Sequence, residues 1–200
     1  MKKVLISLIS ILAFTAASWG PIADRVSKSI LPVEGANGGC TGFVINSDQK
    51  YVLTAAHCDM SPASPTYVDK LPAKIEFKDT KTDLMVLFAE KLDRPALKIA
   101  TSNPDIAEEV ASHGFGFSLN KPLFRLAHIS AEDVRIPGTE NDFLVTDANF
   151  ISGQSGGPVV DANGEVVMIV QLGASQGMGA GVGAETIRRS VRRFLPEERP

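Results

Sequence analysis

The chain has 200 residues, enough for one compact unit or two small halves packed together, and its 44% hydrophobic and 22% charged content suits a globular protein with a sizeable core. A formal net charge of -3 and only 6% aromatic residues argue against a general nucleic-acid binder, which would carry a basic face and stacking platforms. In chain order, "MKKVLISLISILAFTAASWG" comes first, with a basic start at Lys2 and Lys3, an apolar stretch from Val4 to Phe14 and a small-residue zone from Thr15 to Ser18. This pattern predicts a signal peptide over 1–18, because the apolar run falls short of the roughly 20 residues a membrane span needs; an uncleaved membrane anchor is the alternative. No later segment is long and apolar enough to cross a bilayer, so the expected protein is secreted or periplasmic, with no membrane contact after signal removal.

Pro21 to Gly39 reads as an extended arm ending in the flexible "EGANGG". Short strand candidates follow with turn residues between them. "TGFVIN" and "KYVLTAA" flank Ser47 and Asp48 as a hairpin would, and "AKIEFKD" alternates Ile75 and Phe77 with charges. "LMVLFAE" reads as a buried strand from its continuous apolar run. "EEVASHGFGFS", "LFRLAHISAEDVRI", "DFLVTDA", "GPVVDANGEVVMIVQLG" and "AGVGAE" continue the pattern, with Asn163-Gly164 as a strong hairpin turn. Only "AETIRRSVRRFL" reads as a helix, placing Ile187, Val191, Phe194 and Leu195 on one face and four arginines on the other. Many short strands without alternating helices predict an all-β, antiparallel sandwich or barrel.

Two features carry chemistry. Cys40 and Cys58 are the only cysteines, eighteen positions apart, and export would place them where a pair can bridge. His57, His113 and His128 show no metal-ligand spacing, so neither a metal site nor a cofactor is expected. The order His57, Asp83, Ser155 supplies the three residue types of nucleophilic acyl transfer: a hydroxyl, a base within reach, and a carboxylate to fix the base's tautomer. Asp59, Asp69 and Asp79 compete for the third role, but only Asp83 opens a continuous apolar strand. Glycines at Gly153, Gly156 and Gly157 around Ser155 permit backbone angles that side chains forbid.

On these residues the chain resembles the chymotrypsin-like (trypsin-fold) serine endopeptidases, in a style closer to the bacterial members. "TAAHC" reproduces the family's histidine signature, "GQSGGP" is close to its usual Gly-Asp-Ser-Gly-Gly-Pro, and "TDLMVLF" is similar to its aspartate element. "CTGFVIN", "HGFGFS" and "IVQLG" extend the likeness from Gly38 to Leu195. The resemblance implies two antiparallel six-stranded β-barrels with a C-terminal helix, forming one domain over 19–200 with the halves meeting near 100–112. It further implies that Ser155 attacks the peptide carbonyl, His57 moves the proton, and Asp83 orients His57. The amides of Gly153 and Ser155 would form the oxyanion hole, and Cys40 would bridge to Cys58. Asn149, Phe150, Gln171, Leu172 and Gly173 would line the primary substrate pocket, with 179–183 near its far wall. The implied partner is a polypeptide substrate, with no nucleic acid.

Two departures bear on mechanism and specificity. Gln154 stands where trypsin-type enzymes carry an Asp that binds a newly cut N-terminus, and an amide makes no such ion pair. Asn149 stands about where trypsin places its charged pocket residue, which removes the basis for Arg or Lys preference. The bulky Phe150 instead suggests small or medium apolar side chains, the alternative being a core phenylalanine that points away from the pocket. The alternative to a protease is a catalytically silent trypsin-fold binding protein. An α/β-hydrolase would place Ser before His and alternate strands with helices, contrary to this chain.

Overall fold

The computed structural model describes residues 18–35, 38–59, 65–116, 119–174 and 177–197. The predicted signal segment lies outside them up to residue 17. Six strands close the first barrel: β1 Ile30–Gly35, β2 Gly38–Asn46, β3 Tyr51–Ala55, β4 Thr66–Val68, β5 Leu71–Asp79 and β6 Leu84–Phe88, in the order β1-β2-β3-β6-β5-β4. Six more close the second: β7 Glu109–Gly114, β8 Leu123–Arg135, β9 Asp142–Thr146, β10 Pro158–Val160, β11 Val166–Ala174 and β12 Met178–Gly183, in the order β10-β11-β12-β9-β8-β7. Every ladder between named strands is antiparallel, and the two barrels share one topology. Closure gives every named strand a partner on both sides.

The apolar runs are explained by what lies on both faces of each strand. Met85 and Leu87 of β6 point into the first barrel with Leu31, Val33, Val44 and Val52. Leu84 and Val86, on the opposite face, join Phe43 and Leu53 in a cluster shared with Val159, Ile169 and Ile187 of the other half. A strand buried on both faces has no polar positions to alternate with, so β6 is apolar throughout. In β8, by contrast, Ala127 and Ile129 are buried while His128 and Ser130 are exposed.

Two expectations need correction. The stretch read as an extended arm is helix α1, Trp19–Ser27, followed by β1. Ile22 and Val26, one helical turn apart, are both buried, and Pro21 sits in the first turn, where its missing N–H costs nothing. The C-terminal helix is also shorter than the apolar face suggested: α2 covers Ala184–Val191, and a 3₁₀ turn, Arg192–Phe194, continues it. That turn brings Phe194 edge-on to Tyr51 of the first barrel and lays the Arg193 guanidinium over Phe77 and Phe194. The segment between β6 and β7 is stitched to both halves, through Leu97 N–H to the Val44 carbonyl (2.8 Å) and Ala100 N–H to the Val166 carbonyl (2.9 Å).

Candidate active site

The β3–β6 ladder decides where His57 and Asp83 meet. Ala55 pairs with Leu84, so the next rung brings Ala56 opposite Asp83, and the Ala56 amide donates to the Asp83 carbonyl at 3.1 Å. Beyond that rung β3 becomes a 3₁₀ turn, Ala56–Cys58, which lifts the His57 side chain to the surface. The Asp83 carboxylate then holds His57 twice: Oδ1 accepts the backbone amide at 2.8 Å, and Oδ2 lies 2.7 Å from Nδ1. With the proton on Nδ1, the lone pair of the ring is on Nε2. The His57 side chain is 44% exposed and that of Asp83 24%, so the ring is open to solvent while the carboxylate is largely covered.

Asp83 has a left-handed backbone (φ +53°), a conformation that Asp tolerates better than most residues. It is held there from the second barrel. Gln171 of β11, itself buried, donates Nε2 to the carbonyls of Thr82 (2.8 Å) and Asp83 (3.0 Å), and Asn141 donates to the Lys81 carbonyl at 2.8 Å. The competing carboxylates are engaged elsewhere. Asp59 pairs with Lys78 and Asp69 with Arg94, while Asp79 accepts from the Thr82 hydroxyl and the Lys81 amide. Beside Asp83 a groove of about 410 Å³ runs between Lys81, Thr139, Glu140, Asn141 and Leu172.

Ser155 lies in the loop between β9 and β10, which is tied to the first barrel next to His57. Its carbonyl accepts the Thr41 amide at 2.9 Å and lies 3.9 Å from Cys58 Sγ. Cys58 is bonded to Cys40, so the disulfide braces the strand β2, the turn that carries His57 and the Ser155 loop together. The sulfurs and a ring nitrogen of His57 fall within 4.8 Å of one another. Gly153 (φ +96°) and Gly156 (φ +79°) take left-handed turns in this loop. A Cβ at Gly153 would stand 2.6 Å from the Phe115 carbonyl, so neither turn has room for a side chain. The Gln154 amide donates to the Ile151 carbonyl and the Gly156 amide to that of Val170. Those of Gly153 and Ser155 donate to no protein acceptor among the described residues.

The residues expected around the primary pocket are gathered beside this loop, with different orientations. Phe150 is buried, its ring lying close to Gly179 of β12 and its carbonyl close to Gly173 of β11. Asn149 is exposed, and its carbonyl accepts from Arg125 at 2.8 Å. Leu172 is an exposed apolar side chain, whereas the Gln171 side chain turns away to the Asp83 turn. Gln154 is buried and uses its Oε1 to accept the Ile151 amide at 3.0 Å. The sequence reading passed over Thr41, a buried hydroxyl in an apolar strand directly after Cys40, and over the reach of Gln171 across the two halves. A polar residue within an apolar run was the available signal for both.

Comparison with known proteins agrees with this architecture. A family model described as "Trypsin-like peptidase domain" matches residues 40–169. A Pseudomonas putida protein named "Probable periplasmic serine endoprotease DegP-like" is 32% identical over 136 residues, covering 64% of this chain and 28% of its own length. A protein of the same name from Hahella chejuensis is 34% identical over 148 residues, covering 69% of this chain and 30% of its own. The chain thus spans under a third of the length of these relatives. Among solved structures, the active form of the Rv3671c protease from M. tuberculosis superposes with a TM-score of 0.77 at 22% identity, covering 90% of this chain and 86% of that one. A serine endoprotease from Yersinia pestis gives 0.76 at 22% identity, covering 91% and 68%.

Proposed function

The chain belongs to the trypsin-like peptidase domain family, and from that premise we propose that it is an exported serine endopeptidase acting through His57, Asp83 and Ser155. The observation that carries this reading is the double hold of Asp83 on His57, at backbone and ring alike. A carboxylate so placed fixes the tautomer and stabilises the imidazolium that forms when the ring takes a proton. In the first step the Ser155 oxygen bonds to the substrate carbonyl carbon while its proton passes to His57 Nε2. The resulting oxyanion is received by the Gly153 and Ser155 amides. Collapse of the tetrahedral species breaks the peptide bond, His57 returns the proton to the leaving amine, and water then hydrolyses the acyl-enzyme by the same route. The two amides, which have no protein acceptor among the described residues, support the oxyanion assignment.

Phe150 supports a short primary pocket, since its ring occupies the space against Gly179 where a long side chain would enter. Small to medium apolar residues are the proposed preference, and a peptide library read with Phe150→Ala should shift cleavage toward larger side chains. Strong cutting after arginine in the parent protein would overturn that assignment. Because the Gln154 side chain caps a local amide, we also assign activity without a newly cut N-terminus. Loss of activity on removing a single N-terminal residue, with the fold retained, would contradict it.

The decisive experiment is Ser155→Ala, expected to lower peptide hydrolysis on the order of 10⁶-fold while the thermal unfolding curve is unchanged. A fluorophosphonate probe should label the parent protein at Ser155. Folded protein that takes up no label would instead support the alternative, a silent trypsin-fold binding protein.

A further inference from the structure

We propose that the hydroxyl of Thr41, a first-barrel residue, sets the oxyanion-binding amides of the Ser155 loop on the second barrel; this positioning role rests on the assignment of Ser155 and its neighbours made above. Thr41 is completely buried in β2, where an unbonded hydroxyl would be costly. It is fully used instead. Oγ1 donates to the Gly153 carbonyl at 2.8 Å and accepts the Phe115 amide at 2.8 Å. The Thr41 amide donates to the Ser155 carbonyl at 2.9 Å, and the Thr41 carbonyl accepts the Thr54 hydroxyl at 2.8 Å.

These bonds pin alternate peptides of the loop. In the 153–154 peptide, Thr41 Oγ1 holds the carbonyl and the Ile151 carbonyl holds the N–H at 3.0 Å. In the 155–156 peptide, the Thr41 amide holds the carbonyl and the Val170 carbonyl holds the N–H at 2.7 Å. A peptide is planar, so fixing both ends fixes its orientation, and the neighbouring N–H vectors of Gly153 and Ser155 follow from it. Any residue but proline at position 41 supplies the backbone bond to Ser155. Only a hydroxyl supplies the bond to Gly153, whose φ of +96° is a left-handed conformation that the glycine backbone by itself does not enforce. Thr41 thereby makes the geometry of the anion site depend on how the two halves dock.

The test compares Thr41→Val, which keeps the shape and removes the hydroxyl, with Thr41→Ser, which keeps the hydroxyl. The measurements are steady-state kinetics on a peptide amide, the pH profile of kcat/KM, and affinity for a peptide boronate, whose boron accepts the Ser155 oxygen to form a tetrahedral anion. Thr41→Val should lower kcat and boronate affinity together by about 10- to 100-fold, with KM within about twofold and the pH profile of kcat/KM unmoved. Thr41→Ser should restore both to near the parent values. Folded Thr41→Val protein with parental kcat and boronate affinity overturns the inference, as does Thr41→Ser being equally impaired. Should the valine variant not fold, Thr41→Ala against Thr41→Ser is read by the same criteria. Parent protein that neither cleaves peptide nor binds boronate would sink the protease reading itself, a result distinct from an active enzyme indifferent to Thr41→Val.

Discussion

At Gly156 a single methyl group would collide with the Thr54 hydroxyl and the Thr41 carbonyl, both on the first barrel, in a backbone conformation (φ +79°) that alanine already disfavours. Gly156→Ala should therefore displace the loop beside Ser155, and activity should fall further than the unfolding midpoint in parallel kinetic and thermal assays. His113 behaves differently. It is buried in β7, packs edge-on to Phe124, and its Nδ1 finds no partner among the described residues; burial pushes its pKa down to about 4. The unfolded chain binds a proton near pH 6.5 and the folded chain does not until about pH 4, so stability is complete above 6.5 and declines as pH falls through that window. The loss should be on the order of 3 kcal/mol. Denaturant titrations at pH 7 and pH 4 should show that decline in the parent and a flatter response in His113→Leu. Asp147 adds to the acid sensitivity in the same direction, because the His128 backbone amide holds its carboxylate below the usual range. The residue types beside Ser155 and His57 carry the family resemblance in the sequence, whereas nothing adjacent to His113 in the chain announces its burial in β7.

Among the elements, the pair β3 and β6 does most to build the site, because their register alone puts the His57 turn opposite Asp83. The disulfide reinforces that arrangement by linking β2 to the turn. Replacing Cys40 and Cys58 by alanine should cost about 3 kcal/mol, the loop-closure value for a bridge eighteen residues apart. Denaturant unfolding measures the loss, and kcat should change far less than stability. The continuous and alternating apolar patterns identified β5, β6, β8 and β11 from sequence. They failed at β1 and β4, each too short or too Pro-interrupted to show a period, and at α1, where Pro21 and a nine-residue length hid an amphipathic turn. Such elements are stabilised by what they pack against more than by their own propensity.

The whole molecule is cross-tied by the segments that flank the two barrels. Helix α1 precedes the first barrel yet reaches the second: Trp19 lies against Phe124 and donates to Glu109 at 2.5 Å, and Arg25 bonds the Asn163 carbonyl of the β10–β11 turn. The chain end does the reverse, with Phe194 packed on Tyr51 and Phe77 and its carbonyl accepting from Asn46 at 3.3 Å. Deleting residues 19–27 removes two buried side chains, Ile22 and Val26, worth roughly 1.5–3 kcal/mol each. It should lower the denaturation midpoint of both halves in one transition, since Val26 belongs to the cluster that spans them. Two separated transitions, one per barrel, would contradict that coupling. The amino-acid sequence by itself determined the strand-rich class, the residue types of the site and the left-handed glycine turns, because periodicity and backbone sterics are local properties. Only the tertiary structure decided that Gln171 steadies the Asp83 turn, that Thr41 holds the Ser155 loop and that Phe150 lies against Gly179. Each of these is a contact between residues far apart in the chain, made across the two halves or within a closed barrel, and such contacts leave no spacing for a sequence to display.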